Sequence, residues 1–274
     1  MQRGNTTGSA GLIIIPARYQ SSRFPGKPLA MVRGATGIAK PLLQRSVEAA
    51  TTALPGVPIA IATDDPRIAA LANTLGVGAI DTPASCANGT ERVAAALATL
   101  DDVPPFVINF QGDALLTPPD CVVALARHMQ AHPDCAVATA GVRCSPSTYA
   151  HLLADQAAGR SGGTTVVTRS NGRALYFSKR VLPFLGGDRL PDADTPVLLH
   201  LGLYAYRPAA LRHYAQLPPS PLEIAEGLEQ LRFIANDIDI DVILFDPPGW
   251  DAIELNNPSD LAPIEAVLAT RGIE

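Results

Sequence analysis

Leu12-Ile13-Ile14-Ile15-Pro16-Ala17-Arg18-Tyr19-Gln20-Ser21-Ser22-Arg23-Phe24-Pro25-Gly26-Lys27-Pro28-Leu29 is the stretch from which the fold is read. The unbroken apolar run Leu12 to Ile15 has the pattern of a strand buried on both faces, as in a parallel sheet, and Pro16 ends it. A loop follows that holds Arg18, Ser21, Ser22, Arg23, Gly26 and Lys27. In an open parallel sheet, ligands bind in the crevice beyond the carboxyl ends of the strands. Small residues let the backbone approach an anion there, and the fixed cations can spread over a triphosphate. The stretch therefore reads as a phosphate-binding loop for a nucleotide, with a surface turn of scattered charges as the plain alternative. It has neither the Gly-Lys-Ser/Thr helix opening of a Walker loop nor the Gly-x-Gly-x-x-Gly of a dinucleotide turn.

Outward from this loop, strands and helices alternate. Pro41 to Ala53 carries Leu42, Leu43, Val47 and Ala50 at helical spacing, and Pro58 to Thr63 is a second buried strand ending in Asp64-Asp65. Pro66 opens a helix through Leu75, with Gly76 and Gly78 as its stop signals. That alternation predicts right-handed crossovers and a parallel sheet. Asn88-Gly89-Thr90-Glu91-Arg92-Val93 enters an alanine-rich helix, which Thr90 can cap. The next strand, Phe106 to Phe110, runs into Gln111-Gly112-Asp113. A carboxylate at the carboxyl end of a central strand is placed to hold Mg²⁺ against phosphate oxygens, so Asp113 is the leading metal ligand; a turn or cap aspartate is the plain alternative.

The texture changes after a strand from Ala136 to Val142. Ser145 to Arg173 is rich in small, polar and turn residues and is expected to be a mobile or hairpin segment. Strand-like runs at Thr164 to Thr168, Ala174 to Ser178 and Leu198 to Tyr206 predict a smaller, mixed or antiparallel lobe. His200 and Tyr204 share one face of the last of these and could simply be core groups with satisfied hydrogen bonds. A helix through Arg232 holds Glu229 and Gln230, residues that commonly lie on solvated helix faces. In the strand Ile238 to Phe245, Asp239 and Asp241 fall on one face, expected to be an exposed sheet face rather than a metal site.

The totals bound the function. A chain of 274 residues, 47% hydrophobic and 17% charged, is a globular protein, and no apolar run reaches membrane-spanning length. A net charge of −5 supplies no basic field for nucleic acid, so the loop cations mark a local site for small anions. Cys86, Cys121, Cys135 and Cys144 show no Cys-x-x-Cys spacing and no nearby His pattern, which predicts reduced thiols in a cytosolic enzyme rather than zinc or disulfides. Residues 1–10, rich in Gly, Ser and Thr, lack the apolar core of a secretion signal and are read as a flexible tail.

Ile-Pro-Ala-Arg-Tyr-x-Ser-x-Arg-x-Pro-Gly-Lys-Pro-Leu, from Ile15, closely resembles the opening of the CMP-Kdo synthetases, the 3-deoxy-manno-octulosonate cytidylyltransferases. Gly89-Thr-Glu-Arg92 resembles that family's element beside the cytidine nucleotide. Arg173-Ala-Leu-Tyr-Phe-Ser-Lys179, His200-Leu-Gly-Leu-Tyr-Ala-Tyr-Arg207 and Pro219 to Arg232 match further segments in the same order. The resemblance implies nucleotide contacts from Pro16, Ala17, Arg18, Ser22, Lys27, Asn88, Gly89, Thr90 and Arg92. It implies catalytic roles for Arg18, Arg23, Lys27 and Asp113, and a sugar acid held by Gln111, Lys179, His200, Tyr204, Glu229 and Gln230. Mg²⁺ would be the cofactor, on Asp113 and Asn256, in a cytoplasmic homodimer.

The chain departs from the family at several places. Gln-Gly-Asp continues as Ala114-Leu115 rather than Glu-Pro; Lys179 replaces an Arg, and Leu199 a basic residue. A Lys cannot copy a bidentate Arg clamp on a carboxylate. In Glu254-Leu-Asn-Asn-Pro-Ser-Asp-Leu261, Asn256-Asn257 stand for the family's Asp-Thr, so a neutral carbonyl oxygen replaces a metal-binding carboxylate.

The fold class expected is α/β: a Rossmann-like nucleotidyltransferase with a central, mostly parallel sheet. Residues 11–135 and 233–274 would form the nucleotide lobe, and 136–232 a sugar-binding and dimerisation lobe. The expected reaction is CMP transfer from CTP to the anomeric hydroxyl of Kdo, with release of pyrophosphate. The alternatives are a different acidic sugar or anionic acceptor, or a nucleotide-binding regulatory protein without turnover.

Overall fold

Ile13, Ile14 and Ile15 have no exposed surface. They form the centre of β1 (Leu12–Pro16), which lies between two parallel neighbours in the main sheet. The computed structural model describes residues 11–21, 24–113, 115–187, 189–194, 196–250, 255 and 257–274. The tail expected over residues 1–10 is outside that set.

After β1, a small antiparallel pair, β2 (Met31–Arg33) and β3 (Ala39–Pro41), leads into α1 (Leu42–Ala53). The alternation then proceeds as β4 (Ile59–Thr63), α2 (Pro66–Thr74), β5 (Gly78–Asp81), α3 (Gly89–Leu97), β6 (Val107–Asn109), α4 (Pro119–Ala131) and β7 (Val137–Arg143). Next come α5 (Pro146–Ala157), β8 (Thr165–Thr168), β9 (Ala174–Ser178), β10 (Leu198–Tyr206), α6 (Pro208–Tyr214), α7 (Pro221–Glu226) and α8 (Leu231–Ile234). β11 (Ile240–Phe245) and α9 (Leu261–Arg271) close the described chain.

The strand order is β11-β7-β10-β6-β1-β4-β5, with β8 on β10 and β9 on β8. β6, β1, β4 and β5 are mutually parallel, as are β7 and β11. β10 runs antiparallel to both β6 and β7, so β7 and β11 point the same way as β6. The carboxyl ends of β1, β4 and β6 therefore share one rim of the sheet, and the amino ends of β7 and β11 lie on the opposite rim. Helices cover both faces: Ile13 and Ile15 pack with Leu43 of α1 and Leu125 of α4, while Ile14 packs with Val93 and Leu97 of α3.

Several local expectations change. Within Ser145 to Arg173, α5 is a helix of 12 residues; Ser145 caps it by accepting from the Thr148 N–H, and Tyr149 and Leu152 are its buried residues. α3 is capped by Asn88, whose side chain accepts from the Glu91 N–H at 2.8 Å, and not by Thr90, which lies inside the helix. Glu229 and Gln230 are not on a continuous helix. Gly227, left-handed at φ 64°, ends α7, and both residues lie in the turn before α8. The segment 136–232 contributes β7 and β10 to the main sheet, so its strands are continuous with β6 rather than set apart from it.

Candidate active site

The loop after β1, the start of α3 and the segment after β6 converge at the carboxyl rim on a cavity of about 280 Å³. Pro16, Ala17, Arg18, Ser21, Lys27, Pro28, Cys86, Asn88, Gly89, Arg92, Gln111, Gly112 and Asp113 line it. Backbone bonds fold the first loop onto itself: the Gly26 N–H donates to Tyr19 O at 2.9 Å, and a short turn from Lys27 to Leu29 follows. That turn sends Lys27 to Asp113, with which it forms an ion pair; the two side chains are 20% and 16% exposed. The exposed Arg18 adds a second cation to the cavity wall.

The opposite wall is the amino terminus of α3, which favours negative charge. Arg92 is buried behind it, 3.1 Å from Asp64 and donating to Thr82 Oγ1 at 2.7 Å. Thr90 Oγ1 bonds the Tyr206 hydroxyl at 2.8 Å, so its side chain belongs to the core. Gly89 is the point of closest approach: a Cβ there would lie 3.2 Å from Gln111 Nε2 and 3.6 Å from Glu229 Oε1. Gln111 and Glu229 therefore meet across Gly89.

Glu229 accepts from the Thr90 N–H at 3.2 Å, and the Tyr214 hydroxyl, which accepts from Asn88 Nδ2, donates to Glu229 O at 3.3 Å. Its enclosure raises the Glu229 carboxyl above the usual range, opposed by the N–H groups of Thr90 and Gly89. Arg232 locks this wall: it donates to both oxygens of Glu223, at 2.8 and 2.6 Å, and to Glu91 at 2.9 Å. Gln230 is buried in the same turn.

His200 and Tyr204 sit deeper, their rings 5.3 Å apart. Thr139 Oγ1 donates to Leu203 O at 2.7 Å and lies 3.0 Å from His200 Nε2, so the hydroxyl oxygen accepts from the imidazole. Burial pushes His200 down to about 3, and it is neutral. Lys179 lies at the far side: a Cβ on Gly227 would be 2.9 Å from its Nζ, and its backbone N–H donates to Glu226 at 3.0 Å.

Of the residues expected from the sequence, Pro16, Ala17, Arg18, Lys27, Asn88, Gly89, Arg92, Gln111 and Asp113 line one cavity. Glu229 adjoins it, while Lys179, His200, Tyr204 and Gln230 do not line it. Ser22, Arg23 and Asn256 lie outside the described residues. The Leu255 N–H donates to Asp113 O at 3.3 Å. Asp64 and Cys86 were missed; Asp64, at the carboxyl end of β4, carried the same positional signal as Asp113. All four cysteines are free. In space Cys135 lies beside His128 and Asp241, a neighbourhood that the sequence spacing does not show.

Residues 12–240 match the family model described as Cytidylyltransferase. The chain is 42% identical over 262 residues to the 3-deoxy-manno-octulosonate cytidylyltransferase of Maricaulis maris (strain MCS10), spanning 95% of this chain and 98% of that protein. It is 37% identical over 262 residues to the protein of the same name from Zea mays, spanning 95% and 82%. A solved structure of CMP:2-keto-3-deoxy-manno-octonic acid synthetase complexed with CTP superposes with a TM-score of 0.80 at 32% identity, over 96% of this chain and 100% of that one. Likeness of that extent, in sequence and in fold, places the chain in the 3-deoxy-manno-octulosonate cytidylyltransferase (CMP-Kdo synthetase) family.

Proposed function

We propose that the protein transfers CMP from CTP to the anomeric hydroxyl of Kdo, a 2-keto-3-deoxy sugar acid, and releases pyrophosphate. The observation that carries this reading is the cavity in which Lys27 pairs with Asp113 beside Arg18, at the carboxyl rim of a parallel sheet. The anomeric oxygen attacks the α-phosphorus in line; a new phosphorus–oxygen bond forms, the bond to the β-phosphate bridge breaks, and pyrophosphate leaves with the electron pair. Arg18 and Lys27 would stabilise the negative charge that develops toward the leaving group, a role also assigned to Arg23. The hydroxyl proton passes to solvent. Positioning and electrostatics supply most of the catalysis in phosphoryl-type transfer, and no side chain is assigned here as a general base.

Mg²⁺ is the proposed cofactor, held by Asp113 and Asn256. The carboxylate of Asp113 on the cavity wall is a hard oxygen donor that suits this ion, and Asn256 would add a neutral carbonyl oxygen. When bound, the ion would neutralise phosphate charge. For the acceptor, Gln111 and Glu229 are the groups nearest the nucleotide side, with Lys179 opposite its carboxylate and His200 and Tyr204 behind. The protein is further proposed to be a cytoplasmic homodimer. The free thiols agree with a reducing compartment, and Phe184 and Ile224, 86% and 71% exposed, offer apolar surface to a second copy.

Pyrophosphate release from CTP and Mg²⁺, with Kdo offered beside a panel of other 2-keto sugar acids, tests the reading. Turnover with Kdo is expected. Turnover only with another acid would move the assignment to that acceptor, with Lys179 and Leu199 as the positions responsible. CTP binding without turnover on any acceptor would overturn it.

A further inference from the structure

His128 lies in the last turn of α4, Cys135 in the turn that enters β7, and Asp241 is the second residue of β11. All sit on the rim of the sheet opposite the nucleotide cavity. Their donor atoms fall within 4.8 Å of one another. His128 Nε2 and Asp241 Oδ2 are 2.8 Å apart, already held as a hydrogen-bonded pair. Cys135 is 9% exposed, and the side chains of His128 and Asp241 are 21% and 25% exposed, so the group is shielded yet reachable from solvent.

We propose that His128, Cys135 and Asp241 bind one Zn²⁺ ion, a structural site separate from the catalytic cavity. The donor set is one nitrogen, one sulfur and one oxygen, the mixture that zinc accepts and that Mg²⁺ and Ca²⁺, which take oxygen, do not. Tetrahedral bonds of the usual zinc lengths put ligand atoms about 3.3–3.7 Å apart. The observed spread needs only small side-chain movements to reach that. A water would complete the tetrahedron.

Both outer ligands are braced from behind, as metal ligands commonly are. The His128 ring stacks on His132 at 4.2 Å between centroids, and the second oxygen of Asp241 lies 3.6 Å from Arg173 Nε. Arg207 and Arg173 are nearby charges that oppose a cation, but the terminal nitrogens of Arg207 donate to the carbonyls of Pro105 at 2.9 Å, His132 at 3.0 Å and Met129, and Arg173 is paired with Asp239 at 2.5 Å. Burial first, and then the Asp241 charge, push the Cys135 thiol up to about 12. The metal-free group is therefore a thiol; zinc binding displaces its proton to solvent, and the His128 bond to Asp241 gives way as the ring takes the tautomer protonated on Nδ1, freeing Nε2 for the metal.

The ligands come from elements far apart in the chain, with Asp241 113 positions after His128. Because the three donors come together only in the folded chain, bound zinc stabilises that state by mass action. It also pins β11, an edge strand whose ladder partner is β7.

The test is Co²⁺ titration of the full-length, chelator-treated protein, followed by displacement with Zn²⁺. One equivalent of Co²⁺ is expected to give tetrahedral ligand-field bands and a thiolate-to-cobalt charge-transfer band in the near ultraviolet. Cys135→Ser should abolish the charge-transfer band, and Asp241→Asn should weaken binding roughly tenfold or more, the scale seen when metal-site partners are removed. Asp113→Asn should retain the band, which separates this site from the catalytic one. Zn²⁺ should raise the thermal midpoint of the unmodified protein but not of Cys135→Ser. Absence of a thiolate band in the unmodified protein, affinity unchanged by both Cys135→Ser and Asp241→Asn, or loss of the band in Asp113→Asn would each overturn the proposal.

Discussion

Lys27 and Asp113 hold opposite charges on the wall of a cavity, and neither is buried enough for its partner to be its whole purpose. Lys27→Met removes the cation proposed to meet the triphosphate; kcat should fall about 10²–10³-fold, the usual cost of one preorganised charge-stabilising donor, while the thermal midpoint moves little. Pyrophosphate release and thermal unfolding measured on one preparation check both halves. His200 gives a residue-scale prediction about stability. Its folded value near 3 lies below the ordinary 6.5, so between those values the unfolded chain binds a proton that the folded chain does not. Stability from this group is intact above pH 6.5 and lost as the pH falls through that window. At pH 5 the loss is roughly 2 kcal/mol. Urea midpoints between pH 7 and pH 5 should fall less steeply for His200→Gln than for the unmodified protein. Asp113 was legible in sequence because a polar residue after a buried strand points to one rim of the sheet. The pairing of His128 with Asp241 was not, since contacts across 113 residues leave no local pattern.

At the scale of elements, Gly227 decides the wall proposed to meet the acceptor. Its left-handed backbone ends α7 and turns Glu229 and Gln230 inward, away from the solvated helix face that their residue types suggest. Gly227→Ala puts a side chain at φ 64°, where the strain is about 1 kcal/mol, and crowds the flexible end of Lys179. The variant should unfold a few degrees lower, with a higher KM for the acceptor and an unchanged KM for CTP. Arg232 is the second lever on this wall. Arg232→Met leaves Glu223 buried without its partner, a loss of about 3–5 kcal/mol that denaturant unfolding will register. β1, β4 and β6 were read correctly because each is an apolar run between Pro, Gly or Asp signals, whereas β5, a mostly exposed Gly-Ala-Ile-Asp, was not read as a strand. α5 was not, because only Tyr149 and Leu152 of its residues are buried, too few to show a helical period among Ser, Thr and Ala.

For the whole molecule, the proposed homodimer is open to a direct check. Phe184→Asp combined with Ile224→Lys should shift the mass measured by light scattering from dimer to monomer, and an unchanged dimer would place the interface elsewhere. The order of elements was readable along the chain, but their neighbours in the sheet were not. Nothing in Leu198 to Tyr206 announces that it pairs with β6 on one side and β7 on the other, since backbone ladders are blind to side-chain identity. That placement governs how this protein could be re-engineered. Because β10 is stitched between β6 and β7, and Tyr204 stands opposite Asn109, acceptor preference is not a cassette that can be cut out at residues 136 and 232 and exchanged with a relative's. A transplanted segment would have to match hydrogen-bond register along two ladders at once, so new acceptors will be reached through point changes on a retained frame.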